Sequence, residues 1–254
     1  MTDSAQGRDV TLFVGAPTRL GTALNDFVRI NGVALRAGGV EPRPNRLVTK
    51  ALRAAIGGTD NGASLAVLLQ VNAGVRPFLS ALNGLGRPTT ALRKSELFPE
   101  AERMLLGAAG VLGHRVGRVV LAVEPIHSLF LSIGFDDLAE RVRNTRWEVL
   151  YEVSWADLAR EVRAAFADTE IVVLTPFAVR DGATPLLHYL FGSVGFELAD
   201  EVAGVTFLNA ARTADQSTEV YAKIGIDHVT TDLLNQRFAE DMKAMAAMPG
   251  VRVM

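Results

Sequence analysis

The sequence predicts an α/β fold in which a mainly parallel sheet carries helices on both faces, a three-layer arrangement. Residues 10–14 and 116–123 are short apolar runs bounded by turn residues, which is typical of strands buried on both sides. Longer segments with apolar residues at three- and four-residue spacing separate such runs, and that spacing predicts helices. Because strands alternate with helices, we expect parallel strands joined by helical crossovers. We expect a single domain over residues 1–254, with residues 1–9 flexible.

The first half of the chain begins with a strand that ends at Gly15. Apolar residues at helical spacing follow, until two prolines and a glycine-rich stretch interrupt the pattern. The predicted elements are, in chain order, a strand at 10–14, one helix at 22–37, a proline-fixed loop at 41–45, a helix at 47–56, a turn-rich break at 57–62, an apolar run of either type at 65–71 and a weak strand at 89–92.

The second half carries clearer start and stop signals. Pro99 and Gly113 bracket a helical segment in the usual order, and Pro125 stops the next strand. Ser154 and Asp157 match a capping box that opens a helix running to Phe166. The predicted elements are a helix at 99–112, a strand at 116–123, a helix from 154 to 166, a strand at 171–174, and helices at 184–191, from 213 and at 231–248.

Charge and cysteine content exclude several classes of function. Lys+Arg 26 against Asp+Glu 28 gives a formal net charge of −2, so we expect no nucleic-acid partner. The chain has no cysteine, which excludes disulfides, thiolate metal sites and cysteine nucleophiles. The four histidines are scattered singly without metal-ligand spacing, so no metal is expected. His127 and His188 are expected to be surface or core-edge residues.

The N-terminus and the apolar runs bear on location. Residues 1–9 carry charge where a signal peptide needs its apolar stretch, so no signal peptide is expected. The longest apolar stretches are far shorter than the roughly 20 residues that span a bilayer. The sequence therefore favours a cytoplasmic protein without a membrane partner, and it does not indicate an oligomeric state.

The turn after the first strand has the composition of an anion-binding loop. Residues 15–22 contain two glycines, two threonines and an arginine at the start of a predicted helix. A nucleotide-hydrolysing Walker A loop is excluded, because Gly15 and Gly21 are too far apart and no lysine follows Gly21. The alternative is a purely structural loop, in which Gly15 and Pro17 turn the chain and Thr22 caps the helix.

Residues 13–24, Phe-Val-Gly-Ala-Pro-Thr-Arg-Leu-Gly-Thr-Ala-Leu, resemble a known family. Bacterial sulfotransferase-like proteins, a branch of the P-loop fold, often open with a strand followed by a loop such as G-T-P-K-T-G-T-T-x-L. Residues 34–40, the helix–strand unit at 153–177 and the helix at 186–192 are also similar to that family. The resemblance covers most of the chain.

The resemblance implies a P-loop, sulfotransferase-like domain that transfers a sulfuryl group to a hydroxyl of a small molecule or carbohydrate. The implied donor is 3′-phosphoadenosine 5′-phosphosulfate (PAPS), with no metal. A glutamate after a middle strand is expected to act as general base, although the alternative for it is a solvated charged loop. The implied donor-binding residues are Gly15, Thr18, Arg19, Gly21, Thr22 and Ser132, and the implied catalytic residues are Arg19 and Glu96.

Two departures from the family pattern keep other functions open. The family's loop lysine, which neutralises the bridging oxygen, falls on Thr18. The arginine that holds the 3′-phosphate falls on Glu124 or Val123, and a carboxylate that faces a phosphate costs energy. The alternatives are a non-catalytic binding or assembly protein that has lost PAPS chemistry, and a transferase that uses another phosphorylated donor.

Overall fold

The computed structural model describes residues 9–60, 62–82, 84–86, 97–132, 149–179, 182–199 and 226–254. Six strands form one parallel sheet in the order β2-β3-β1-β4-β5-β6. The strands are β1 (Val10–Gly15), β2 (Val40–Arg43), β3 (Arg76–Leu82), β4 (Val116–Ala122), β5 (Glu170–Leu174) and β6 (Val251–Val253).

Helices connect the strands along the described part of the chain. They are α1 (Arg19–Ile30), α2 (Gly32–Ala37), α3 (Asn45–Ile56), α4 (Ala63–Leu68), α5 (Ala101–Leu112), α6 (Ile126–Ser132), α7 (Val149–Glu152), α8 (Trp155–Ala165), α9 (Thr184–Phe191), α10 (Ser193–Leu198) and α11 (His228–Ala246). Short 3-10 turns follow α5 and β5.

The central strands are buried on both faces, which makes the fold three-layered. In β4, Val119 and Leu121 belong to one apolar cluster, whereas Val120 and Ala122 belong to another. Because successive strand residues point to opposite sides, each face needs its own cover of helices. Helices α1, α2, α9 and α10 cover one face, and α3 to α8 with α11 cover the other. The predicted α/β class with helices on both faces is confirmed.

The chain connectivity opens a crevice between two neighbouring strands. β1 is followed by α1 on one face of the sheet, whereas β4 is followed by α6 to α8 on the opposite face. The two connections therefore diverge at the carboxyl ends of adjacent strands. Such a switch point is the usual ligand position in open α/β sheets.

The helix predicted at 22–37 is two helices. α1 begins earlier, at Arg19, because Thr18 provides its N-cap. The helix ends at Asn31, whose side-chain Nδ2 donates to the Phe27 carbonyl at 3.0 Å. A side chain that bonds the nearby backbone in this way competes with helix continuation, so α2 starts as a separate turn.

The loop predicted at 41–45 is wrong, because residues 40–43 form β2. Pro42 lies within this strand and pairs in register with Phe78 of β3. β2 stands at the edge of the sheet, where a proline without an N–H removes no bond from a second neighbour. β3 and β6 have no counterpart among the predicted strands. β3 was missed because Pro77 near its start is unusual in a strand, although the residues that follow it are buried.

The sequence predicted no counterpart for the short helices α6, α7 and α10. The other described elements agree with the sequence predictions, apart from their ends. The apolar run at 65–71, for which strand and helix were both open, overlaps α4, so its first four residues are helical. The last helix begins at His228 rather than at 231, because Asp227 caps it through a 2.7 Å bond from the Thr230 amide. The strand at 89–92 and the helix from 213 lie outside the described residues.

None of the helices in the described ranges has the length and apolar character needed to cross a membrane.

Candidate functional site

The first wall of the crevice is the loop from β1 into α1. Thr18 is fully buried, and its hydroxyl accepts a hydrogen bond from the Gly21 amide at 2.9 Å. The Thr22 amide donates to the Thr18 carbonyl at 2.8 Å. Thr18 therefore uses both its side chain and its backbone to start the helix. The alternative prediction that Thr22 caps the helix is wrong, since Thr18 occupies the N-cap position and Thr22 lies within α1.

Gly21 lets α1 approach the sheet closely. A Cβ atom at this position would stand 2.9 Å from the Thr18 hydroxyl and 3.2 Å from the Ala122 Cβ. The first turn of the helix is thus pressed against the carboxyl end of β4. Gly15, which ends β1, has a φ of +123°, a backbone conformation that suits glycine.

The second wall of the crevice is Glu124, which follows β4. Its side chain is 2% exposed, and its carboxyl group accepts a hydrogen bond from the backbone N–H of Arg19. Arg19 is the first residue of α1, so the carboxyl group lies at the positive end of that helix. The Arg19 side-chain charge also acts on Glu124. The anion position at this helix start is therefore taken by a residue of the chain itself.

Two serines complete the surroundings of Glu124. The Ser132 hydroxyl lies 2.8 Å from Glu124 Oε1 and 2.9 Å from the Ser128 carbonyl oxygen. The Ser128 hydroxyl lies at a longer 3.4 Å from Glu124 Oε2. Because a hydroxyl has one proton, Ser132 donates either to the carboxylate or to the carbonyl. When Glu124 is protonated, its O–H donates to Ser132, which then bonds the carbonyl. The hydrogen bonds between Glu124 and Ser132 can therefore form whether the carboxyl group is charged or neutral.

Burial dominates the proton affinity of Glu124. It raises the pKa of this carboxyl group from 4.5 to about 7 against the lowering effects of Ser132, Arg19 and Ser128. Glu124 therefore changes charge near neutral pH. A group with such a pKa can accept or donate a proton under cellular conditions.

His127 lies beside this group in the first turn of α6. Its side chain is 1% exposed, which is deeper than the surface or core-edge position predicted. Burial and then the Arg19 charge lower the pKa of His127 from 6.5 to about 4. The imidazole is neutral at physiological pH, and the positive charge that acts on both Glu124 and His127 is that of Arg19. His188, by contrast, is exposed on α9 as predicted.

A buried hydrogen-bond frame holds Glu124 in place. The Trp155 indole N–H donates to the Glu124 carbonyl at 2.8 Å. The Trp155 amide and the Ser154 hydroxyl donate to the two carboxylate oxygens of Asp241, at 2.8 and 2.7 Å. Asp241 is 3% exposed and belongs to α11, so three segments distant in sequence are tied together. This frame preorganises the carboxyl group.

The structure brings together four of the predicted donor-binding residues with Glu124. Arg19, Thr18 and Gly21 form one side, and Ser132 contacts Glu124 on the other. Gly15 ends the strand just before this loop. The Thr22 side chain is exposed. Glu96, predicted as general base, lies outside the described residues.

The sequence contained an unused signal for the serines. Glu124, Ser128 and Ser132 recur every four residues, a spacing that brings the two serines onto one face of a helix and points them toward the glutamate before it. The buried roles of Trp155 and Asp241 carry no such signal, because they depend on contacts between distant segments. Within the described ranges no group of three or more acidic or histidine side chains is arranged to hold a metal ion.

Comparisons of this chain with protein-family models, with curated proteins and with solved structures found no match.

Proposed function

We propose that this chain is a non-catalytic binding or assembly protein on a sulfotransferase-like scaffold, in which an internal carboxylate replaces the anionic group of the donor. One observation carries the proposal. The carboxyl group of Glu124, 2% exposed, accepts the Arg19 amide at the start of α1. This is the position at which such a loop would bind a phosphate.

Electrostatics support the loss of donor binding. Two unit negative charges about 4 Å apart repel by about 4 kcal/mol at an effective dielectric constant of about 20. Such a cost weakens binding by about a thousandfold. Above pH 7, where Glu124 is ionised, a phosphosulfate at this helix would meet that repulsion. Thr18, at the position of the family's lysine, adds no charge, and its hydroxyl already accepts the Gly21 amide as the helix cap.

The second candidate is sulfuryl transfer from PAPS to a hydroxyl of a small molecule or carbohydrate, with Arg19 as the cation and Glu96 as the base. The pKa of Glu124, about 7, favours this candidate at acidic pH. When Glu124 is protonated, the Arg19 charge and the positive end of α1 face a neutral group. A donor anion is then no longer repelled.

Calorimetric titration with adenosine 3′,5′-bisphosphate tests the proposal. At pH 8 and about millimolar ligand, a range that detects even weak complexes, we expect the wild-type protein to give no saturable heat that Arg19→Ala abolishes. Glu124→Gln removes the charge and keeps the shape, and it is expected to bind the bisphosphate better than wild type. Glu197→Gln, an exposed residue on α10, is the control with the same change in charge.

A different outcome supports the second candidate. Saturable binding by the wild-type protein at pH 8 that disappears in Arg19→Ala contradicts the loss of PAPS chemistry. Because Arg19→Ala removes a partly buried charge, its fold is checked by circular dichroism before binding is compared.

A further inference from the structure

We propose that a second site, a cavity beside the edge strand β2, binds a small organic anion that carries a phosphate or carboxylate on an apolar body. The cavity has a volume of about 360 Å³ and lies between α1, α2, β2 and the start of α3. This volume is within the range of small-molecule sites. Arg19 and Glu124 do not line it, so the inference goes beyond the proposed function.

Four arginines line the cavity and exceed the acidic groups around them. Arg29 pairs with Asp26 at 3.2 Å, whereas Arg36 and Arg43 share the single carboxylate of Glu41, at 3.3 and 3.2 Å. The fourth, Arg46, makes no ion pair with any described residue. Four guanidinium groups therefore face two carboxylates. The excess of positive charge predicts an anionic ligand.

Arg43 is a fixed cation in the wall. Its Nε donates to the Leu68 carbonyl and its Nη2 donates to the Gln70 carbonyl, both at 2.9 Å. With the Glu41 contact, three of its nitrogens are held, and the side chain is 23% exposed. A guanidinium held in this way loses little freedom when a ligand arrives. Planar guanidinium groups match the oxygens of phosphates and carboxylates.

The start of α3 adds to the positive field. This helix of 12 residues follows Pro44, has no side-chain N-cap and carries no acidic residue in its first turn. The side-chain Oδ1 of Asn45 accepts from the Thr49 hydroxyl at 3.1 Å and does not cap the helix. Arg46 in the first turn is unfavourable for the helix dipole by itself. An anion in the cavity would interact favourably with the uncapped amides at the helix start and with the charge of Arg46.

Apart from Asn25 and Asn45, the rest of the lining is apolar, which defines the body of the ligand. Val28, Pro42 and Pro44 contribute hydrocarbon surface. A Cβ atom on Gly32 would stand 3.7 Å from the Pro42 ring, so a larger side chain there would enter the space. An inorganic anion alone leaves this surface in contact with water. The site therefore fits an anionic group joined to an apolar body.

Phenyl phosphate, inorganic phosphate and phenol are suitable probes for calorimetry or ligand-observed NMR. We expect phenyl phosphate to bind more tightly than either of the other two, and more weakly as salt is added. Arg46→Gln should weaken phenyl phosphate binding by about tenfold or more, since one charge-assisted contact is lost. Arg103→Gln, an exposed and paired arginine on α5, is the matched control and should bind as wild type does.

A second variant tests the space rather than the charge. Gly32→Leu keeps the charge of all four arginines and places a side chain between Pro42 and Arg36, so phenyl phosphate binding should be lost. Phenyl phosphate that fails to bind at about 10 mM, or that binds Arg46→Gln and Arg103→Gln equally, overturns the site. Equal affinity for inorganic phosphate and phenyl phosphate overturns the apolar part.

Discussion

Replacing Glu124 with glutamine should change how the stability of the protein depends on pH. The folded state raises the pKa of this group from 4.5 to about 7. Between these values the folded protein holds a proton that the unfolded chain has released. The contribution of Glu124 to stability is therefore fully present below pH 4.5 and is lost as the pH rises to 7.

The size of this effect follows from the shift. Each unit of pKa corresponds to about 1.4 kcal/mol, so the shift is equivalent to about 3 kcal/mol. Glutamine cannot ionise, and it can still accept from the Arg19 amide. The free energy of unfolding of Glu124→Gln minus that of wild type should rise by up to about 3 kcal/mol between pH 4.5 and 7 and then stay constant.

Urea denaturation followed by circular dichroism, at closely spaced pH values from 4 to 8, measures this difference. Taking the difference between variant and wild type cancels the groups that both proteins share. Glu197→Gln, exposed on α10, should give a difference curve without the rise. A flat difference curve for Glu124→Gln would refute the raised proton affinity and with it the burial of an ionisable carboxyl group at α1.

Three further predictions concern the neighbours of Glu124. His127→Gln should gain stability relative to wild type as the pH falls from 6.5 to about 4, because wild type must then charge a buried imidazole whose folded pKa is about 4; urea denaturation over that range measures it. Thr18→Ala should lose about 1 kcal/mol with its helix cap, whereas Thr18→Ser should keep most of it, as read from the urea midpoint. Asp241→Ala should cost about 3 kcal/mol, because the Trp155 amide and the Ser154 hydroxyl are left buried without their acceptor, and thermal unfolding checks this loss.

The sequence predicted the elements whose signals are local. The strands β1, β4 and β5 could be predicted from their apolar runs alone. The same holds for the cap at Ser154, whose hydroxyl accepts from the Asp157 amide at 3.2 Å. β2 was missed because Pro42 predicts a loop, and a proline within a strand is tolerated here because the strand lies at a sheet edge. That position depends on strand order, which the sequence does not display.

The candidate site was predictable only in part, for the same reason. The composition of residues 15–22 alone indicates an anion-binding loop. That Glu124 reaches the start of α1 depends on the pairing of β1 with β4 and on the close approach at Gly21. The pKa values of Glu124 and His127 are set by burial, which is a property of the folded chain.

Carbon-13 NMR of the glutamate side-chain carboxyl groups tests the internal carboxylate most directly. The signal that disappears in Glu124→Gln should titrate near pH 7. It should not move when adenosine 3′,5′-bisphosphate is added at pH 8. A signal that titrates near 4.5, the ordinary value for this group, or that shifts on addition of the bisphosphate, contradicts an internal anion at the start of α1.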